Sequence, residues 1–176
     1  CSLPLPFIDF SYPMNLILLA PEQVVSDDRY ALNERQLKHI QQVLKKGQGD
    51  TLRVGVLNGA IGDAEFDAVQ GEAVIQSLSI APPKALPLEL VLALPRPNML
   101  KRTLMNITAM GVKTIHLLNS AKVEKSYWQS PVLTEASLHS YLIEGLEQAR
   151  DTVLPTLHRQ VRFRPFVEDI LPTIMD

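Results

Sequence analysis

From Leu88 to Asp169 two kinds of hydrophobic pattern alternate, and this alternation constrains the fold more than any other feature of the chain. An apolar run, Leu88-Glu89-Leu90-Val91-Leu92-Ala93-Leu94, precedes a helical pattern that closes at Gly111. A second run, Thr114-Ile115-His116-Leu117-Leu118, leads into the polar-aromatic loop Lys125-Ser126-Tyr127-Trp128-Gln129-Ser130-Pro131. A second helical pattern follows and ends in Glu147-Gln148-Ala149-Arg150-Asp151. Strand, helix, strand, helix in this order predicts a parallel sheet with helical crossovers. The first of these strands is expected to be covered on both faces. Such folds hold their ligands at strand carboxyl ends, and several of those ends are expected beyond Asp176.

Local signals divide this region further. Pro95-Arg96-Pro97 ends the first strand, Asn98 is the expected helix cap, and Leu100, Leu104, Ile107 and Gly111 share a face. Thr134 is placed to cap the second helix, which would bury Leu138, Leu142 and Leu146. Val161 and Phe163 alternate with Arg162 and Arg164 as in a third strand, and 166–175 would form a further helix.

The front of the chain reads differently. Residues 14–80 predict a small β-rich domain with one helix, from about Glu34 to Lys46. Asn33 with Gln36 makes a capping box, Leu37, Ile40 and Leu44 share a face, and Gly47 is placed as the stop. Leu52, Val54 and Val56 alternate, and Asn58-Gly59 is a hairpin signal. Return strands at 60–69 and 73–80 would complete a small sheet or barrel, in which closure removes sticky edges. The segment 81–87, with three prolines, is the expected linker to a second domain at 88–176. Residues 1–13 hold three prolines and three aromatics without a period. They read as a non-native or upstream extension with Met14 the natural start, as an N-terminal arm packed on the body, or as an acylated Cys1.

The formal charge of −2 argues against a generally basic, nucleic-acid-coating protein. Residues 1–80 carry 6 Lys/Arg against 10 Asp/Glu, and residues 81–176 carry 11 against 9. Any nucleic-acid contact therefore has to come from local patches. One such patch is the helix face with Arg35, Lys38, His39, Lys45 and Lys46, which could track a phosphate backbone or could be a solvated face. Arg159, Arg162 and Arg164 make a second cluster, with Arg96, Lys101 and Arg102 possible neighbours. It could grip phosphates or pair with Glu168 and Asp169. Tyr127 and Trp128 could stack on bases or anchor the core. The four histidines lack metal-ligand spacing, and no metal is expected. Glu144 and Glu147 have the i, i+3 spacing of any surface helix. Neither a nucleophile nor a general base is identifiable. The only cysteine is Cys1, which precludes an intrachain disulfide and fits a cytoplasmic location. No apolar stretch is long enough to span a membrane.

The residues together resemble the RsmE-type small-subunit ribosomal RNA methyltransferases of the SPOUT class. In the front half the resemblance rests on His39-Ile40, Val43-Leu44-Lys45, Gly49-Asp50 and Asn58-Gly59. In the second half it rests on Met110-Gly111-Val112-Lys113-Thr114-Ile115, Lys125 to Pro131, and Glu147-Gln148 with Pro155. It implies an α+β chain with a PUA-like, RNA-binding β-barrel at 14–80. A SPOUT-like parallel-sheet domain follows, which dimerises and binds S-adenosylmethionine in a trefoil knot. The implied reaction is methylation of N3 of a uridine in 16S ribosomal RNA, in a homodimer acting on that RNA or on the small subunit. The family's Gly-Pro-Glu-Gly-Gly-like cofactor loop does not occur in this chain. Cofactor-binding residues are therefore expected beyond Asp176, with the knot incomplete here and this chain alone inactive. Asn106 and Ala109 stand where the family often has Lys and Glu. The RNA-binding candidates are Arg35, Lys38, Lys45, Lys46, Arg102, Arg162 and Arg164. Two other functions compete: a non-catalytic RNA-binding adaptor with a degenerate α/β dimerisation domain, and a dimerisation module with no RNA role.

Overall fold

The computed structural model describes residues 16–175, so the alternatives for residues 1–13 lie outside it. The front half is a six-stranded mixed sheet. Its strands are β1 (Ile17–Leu19), β2 (Val24–Ser26), β3 (Arg29–Ala31), β4 (Thr51–Val56), β5 (Ile61–Asp67) and β6 (Glu72–Ile80). The spatial order is β1-β4-β5-β6-β3-β2, with β1 parallel to β4 and the other pairs antiparallel. The two outermost strands, β1 and β2, are consecutive in the chain. The stretch from Leu19 to Val24 can span at most about 17 Å, so the sheet has to curl on itself. Leu52, Val54, Ala64 and Phe66 point into the curl with Ile17 and Leu19.

The curl is plugged by helix α1 (Glu34–Lys38), which widens into a π-helical His39–Val43. Asn33 and Gln36 form the expected capping box, and Ile40 is fully buried in the core with Leu37 and Leu44 against it. The helix ends earlier than its apolar spacing predicts. Lys45, not Gly47, takes the left-handed conformation (φ 53°), and the Lys46 N–H returns to the Ile40 carbonyl. Lys45 and Lys46 are therefore past the helix and not on its face.

The second half contains β7 (Glu89–Ala93), α2 (Pro97–Ala109), β8 (Thr114–Leu118), α3 (Glu135–Ala149) and β9 (Thr156–Gln160). The strands form a parallel sheet in the order β7-β8-β9. Ile115 and Leu117 of β8 pack on Leu100 and Leu104 of α2 and on Leu138 and Leu142 of α3. Gly145 lets the two helices approach closely: a Cβ there would lie 2.7 Å from the Met105 carbonyl oxygen and from Thr108 Cβ. Thr134 caps α3 as expected, by accepting from the Ser137 N–H. Between the sheets, 81–87 carries neither helix nor strand.

Three expectations are corrected. Strand β7 is not covered on both faces: it lies at an edge and Val91 is 39% exposed. Helix α2 begins at Pro97, whose missing N–H suits the first turn, so Arg96 and not Asn98 occupies the cap. The third strand runs over Thr156–Gln160. The segment 161–164, expected as strand, instead enters α4 (Phe163–Pro165), which continues as a π-helical Phe166–Ile170 and as α5 (Leu171–Met175). Phe166 is buried against His116 while Val161 and Phe163 stay exposed, so one anchoring aromatic sets this helix rather than strand alternation. Among the described residues, no helix is long and apolar enough to cross a membrane.

Candidate nucleic-acid interface

The two sheets meet along a seam, and clefts open along it and beside it. Strand β1 pairs on one side with β4, and its other edge faces α3. The Leu18 backbone at that edge is satisfied by side chains. Gln36 Nε2 donates to the Leu18 carbonyl at 2.8 Å, and the Leu18 N–H donates to Glu147. Glu147 is completely buried, and Arg35 grips it with two hydrogen bonds of 2.8 and 2.9 Å. Loss of solvation pushes the Glu147 carboxyl above its ordinary value, while the hydrogen bonds and charge of Arg35 pull it back. In return the Glu147 hydrogen bond raises the pKa of Arg35. The reading of Glu147 as a surface-helix residue is thereby overturned.

A second anchor joins the β4–β5 hairpin tip to the loop after α3. Asn58, at φ 59°, donates its N–H to the Thr152 carbonyl at 2.7 Å and accepts from the Leu154 N–H at 2.9 Å. Asn tolerates this left-handed conformation better than most residues. The Thr152 hydroxyl donates to the Gly59 carbonyl. The loop is fixed from the other side by Lys113, whose ammonium donates to Asp151 and to the Val153 carbonyl. Leu16, Leu18, Ile61 and Leu146 fill the seam between the two anchors.

Two clefts follow this seam, and a third opens beside it between α2 and α3. The first, about 360 Å³, lies between Glu22, Asn33, Arg35, His139 and Glu144. The second, about 450 Å³, is lined by Arg35, Lys38, His39, Gln42, Lys101, Glu144 and Gln148. The third, about 370 Å³, is lined by Asn98, Lys101, Arg102, Met105, Asn106 and Gln148. Arg35 and Glu144 belong to the first two, and Lys101 and Gln148 to the last two.

The structure thus brings together three of the candidate cations, Arg35, Lys38 and Arg102, and adds Lys101. Lys101 pairs with Glu144 at 2.8 Å, and Arg102 contacts the Met99 sulfur. Lys45, Lys46, Arg162 and Arg164 line none of these clefts. Arg164 pairs with Glu168 one helical turn on, and Arg162 no longer shares a strand face with it. Trp128 packs with Tyr127 against the parallel-sheet core and donates Nε1–H to Asn119 Oδ1 at 3.2 Å, as a packing anchor does. Among the described residues, no group of three His, Cys, Asp or Glu side chains is placed to hold a metal ion. Sequence reading missed Gln36, Glu147, Lys113 and Asp151 as seam residues. The only available signal was Gln36 as the capping-box partner, which says nothing of Leu18.

A β-α-β-α-β parallel sheet bolted to a curled mixed sheet belongs to a class of two-part α/β proteins. The model of the RNA methyltransferase domain matches residues 82–174, and the chain belongs to that family. It is 33% identical over 157 residues to the ribosomal RNA small subunit methyltransferase E of Treponema pallidum, covering 87% of this chain. The chain spans 59% of the length of that curated relative. Two solved structures share the fold. One is the ribosomal RNA small subunit methyltransferase E of Neisseria gonorrhoeae bound to S-adenosyl methionine. It has a TM-score of 0.64 and 16% identity, and the match covers 89% of this chain and 65% of that one. The other is a Legionella pneumophila methyltransferase in complex with SAM. It has a TM-score of 0.66 and 16% identity, with coverages of 89% and 66%.

Proposed function

We propose that this protein methylates N3 of a uridine in 16S ribosomal RNA, with S-adenosylmethionine as methyl donor. The observation that carries this reading is the match of residues 82–174 to the RNA methyltransferase domain, laid on a parallel βαβ sheet. The likeness to the Treponema pallidum protein supports ribosomal RNA as the substrate. In this reading residues 14–80 form a PUA-like RNA-binding barrel, 81–87 a linker, and 88–176 part of a SPOUT domain that dimerises and contributes to a knot. The protein acts in the cytoplasm, where its substrate is.

When bound, S-adenosylmethionine would supply an electrophilic methyl on a sulfonium sulfur, which departs as the neutral thioether. Ligands of parallel sheets sit beyond strand carboxyl ends, here near Leu94, Asn119 and Gln160. Those residues are engaged with one another: the Leu94 N–H donates to the Leu118 carbonyl, and the Asn119 N–H to the Gln160 carbonyl. Leu94, Asn119 and Gln160 line none of the three clefts described above. What this chain contributes is binding and orientation of RNA by its basic side chains, and positioning alone can supply much of the rate.

The test is nucleoside mass spectrometry of 16S ribosomal RNA from cells with and without the gene for this protein. Loss of 3-methyluridine is expected, with restoration by the reintroduced gene. If 3-methyluridine persists in the deletion strain, the reading is overturned. Salt-sensitive RNA binding in that case would favour the adaptor.

A further inference from the structure

We infer that the three clefts form one groove, in which a single-stranded RNA segment crosses the seam from α1 over α3 to α2. This rests on the proposed RNA substrate and assigns it a path. The clefts adjoin one another at shared side chains: Arg35 and Glu144 border both the first and the second, and Lys101 and Gln148 border both the second and the third. Both anchors of the seam hold the groove walls in register, because Arg35–Glu147 and Asn58–Thr152 each tie one sheet to the other.

The lining matches a nucleic-acid strand in two ways. Lys38 and Arg102 are exposed and, among the described residues, neither forms an ion pair with a carboxylate, so each can neutralise a phosphate without first breaking such a pair. Gln42, Gln148, Asn98 and Asn106 carry amides that both donate and accept, which suits base edges. Each cleft falls in the volume range of a small-molecule site, so the depressions fit individual nucleotides. An A-form duplex hides its major-groove base edges in a deep, narrow groove and engages the Watson–Crick edges in pairing, whereas a single strand presents both to these amides.

The pair Lys101–Glu144 lies where two clefts join, and its lysine is half exposed. A phosphate arriving there competes with Glu144 for the same ammonium. Glu144 therefore acts as a built-in competitor of RNA, and its removal strengthens binding.

The experiment measures the affinity of the purified protein for a short uridine-containing single-stranded RNA, and for its duplex, across a salt series. For single strands each lost phosphate contact reduces the log-log salt slope by about 0.7. Lys38→Ala with Arg102→Ala is expected to weaken binding and to reduce the slope by about 1.4. Lys84→Ala with Lys122→Ala, a charge-matched change outside the groove, is expected to leave both unaltered. Glu144→Gln is expected to tighten binding, and the single strand to bind better than the duplex. An unchanged slope in Lys38→Ala/Arg102→Ala overturns the groove, as does a loss carried instead by Lys45→Ala/Lys46→Ala. Weaker binding by Glu144→Gln overturns the competitor role. Failure of the unaltered protein to bind RNA at all overturns the RNA reading itself, and the groove with it.

Discussion

Replacing Arg35 by Ala should destabilise the protein through a residue it leaves behind. Glu147 is 0% exposed and keeps only the Leu18 N–H once the guanidinium is gone. Breaking a buried ion pair by removing one partner costs about 3–5 kcal/mol. The Arg35 side chain is 43% exposed, so part of its interaction is screened by solvent, and about 3 kcal/mol is expected at pH 8. Glu147→Gln should cost less, about 1 kcal/mol, because the amide oxygen still accepts while the buried charge is removed. The double variant should cost about 2 kcal/mol, which makes the coupling about 2 kcal/mol.

The pH dependence follows from the direction of the Glu147 shift. Its pKa in the folded protein is raised, mainly by burial. Its contribution to stability is thus fully present below its unfolded value and is lost as pH rises through the folded one. Without Arg35 the shift is larger, so the cost of Arg35→Ala should shrink as pH falls toward 5. Urea denaturation at pH 5 and 8 reads both effects, and with a slope of about 2 kcal/mol/M the midpoint at pH 8 should drop by about 1.5 M. A cost under about 1 kcal/mol, one that does not vary with pH, or additive single variants would refute the argument.

Other perturbations test the remaining packing. Gly145→Ala should lower the melting temperature by the equivalent of about 1–3 kcal/mol, because its Cβ meets the Met105 carbonyl and Thr108 at 2.7 Å; a rise, as helix propensity alone would give, would mean the helices slide freely. Thr108→Val should raise the melting temperature by the equivalent of about 1 kcal/mol, since the buried Thr108 hydroxyl has no hydrogen-bond partner among the described residues. Lys113→Met leaves the buried Asp151 carboxylate unpaired and should cost about 3 kcal/mol in urea titrations. Trp128→Ala should cost about 2 kcal/mol of stability as a partly buried core contact; a loss confined to RNA affinity would make Trp128 a stacking platform instead.

What depends on near neighbours was legible in the sequence. The Asn33–Gln36 capping box, the Thr134 cap, the alternation of Leu52 and Val54, and the β-α-β-α order all rest on contacts a few residues apart or on one repeating face. The parallel sheet and a small β-rich front half followed from them. The candidate site was legible only as residue types. Glu144 and Glu147 look alike in the chain, yet one borders an open cleft and the other is sealed by Arg35, 112 residues away. The left-handed turn at Lys45 after the first helix, the exposure of β7 and the helical fate of Arg164 were likewise decided by docking. Local preferences at these places differ by about 1 kcal/mol or less, while burial of one aromatic such as Phe166 or one carboxylate such as Glu147 involves more than that. Where the two compete the tertiary contact wins, and the first two clefts exist only because the sheets are docked.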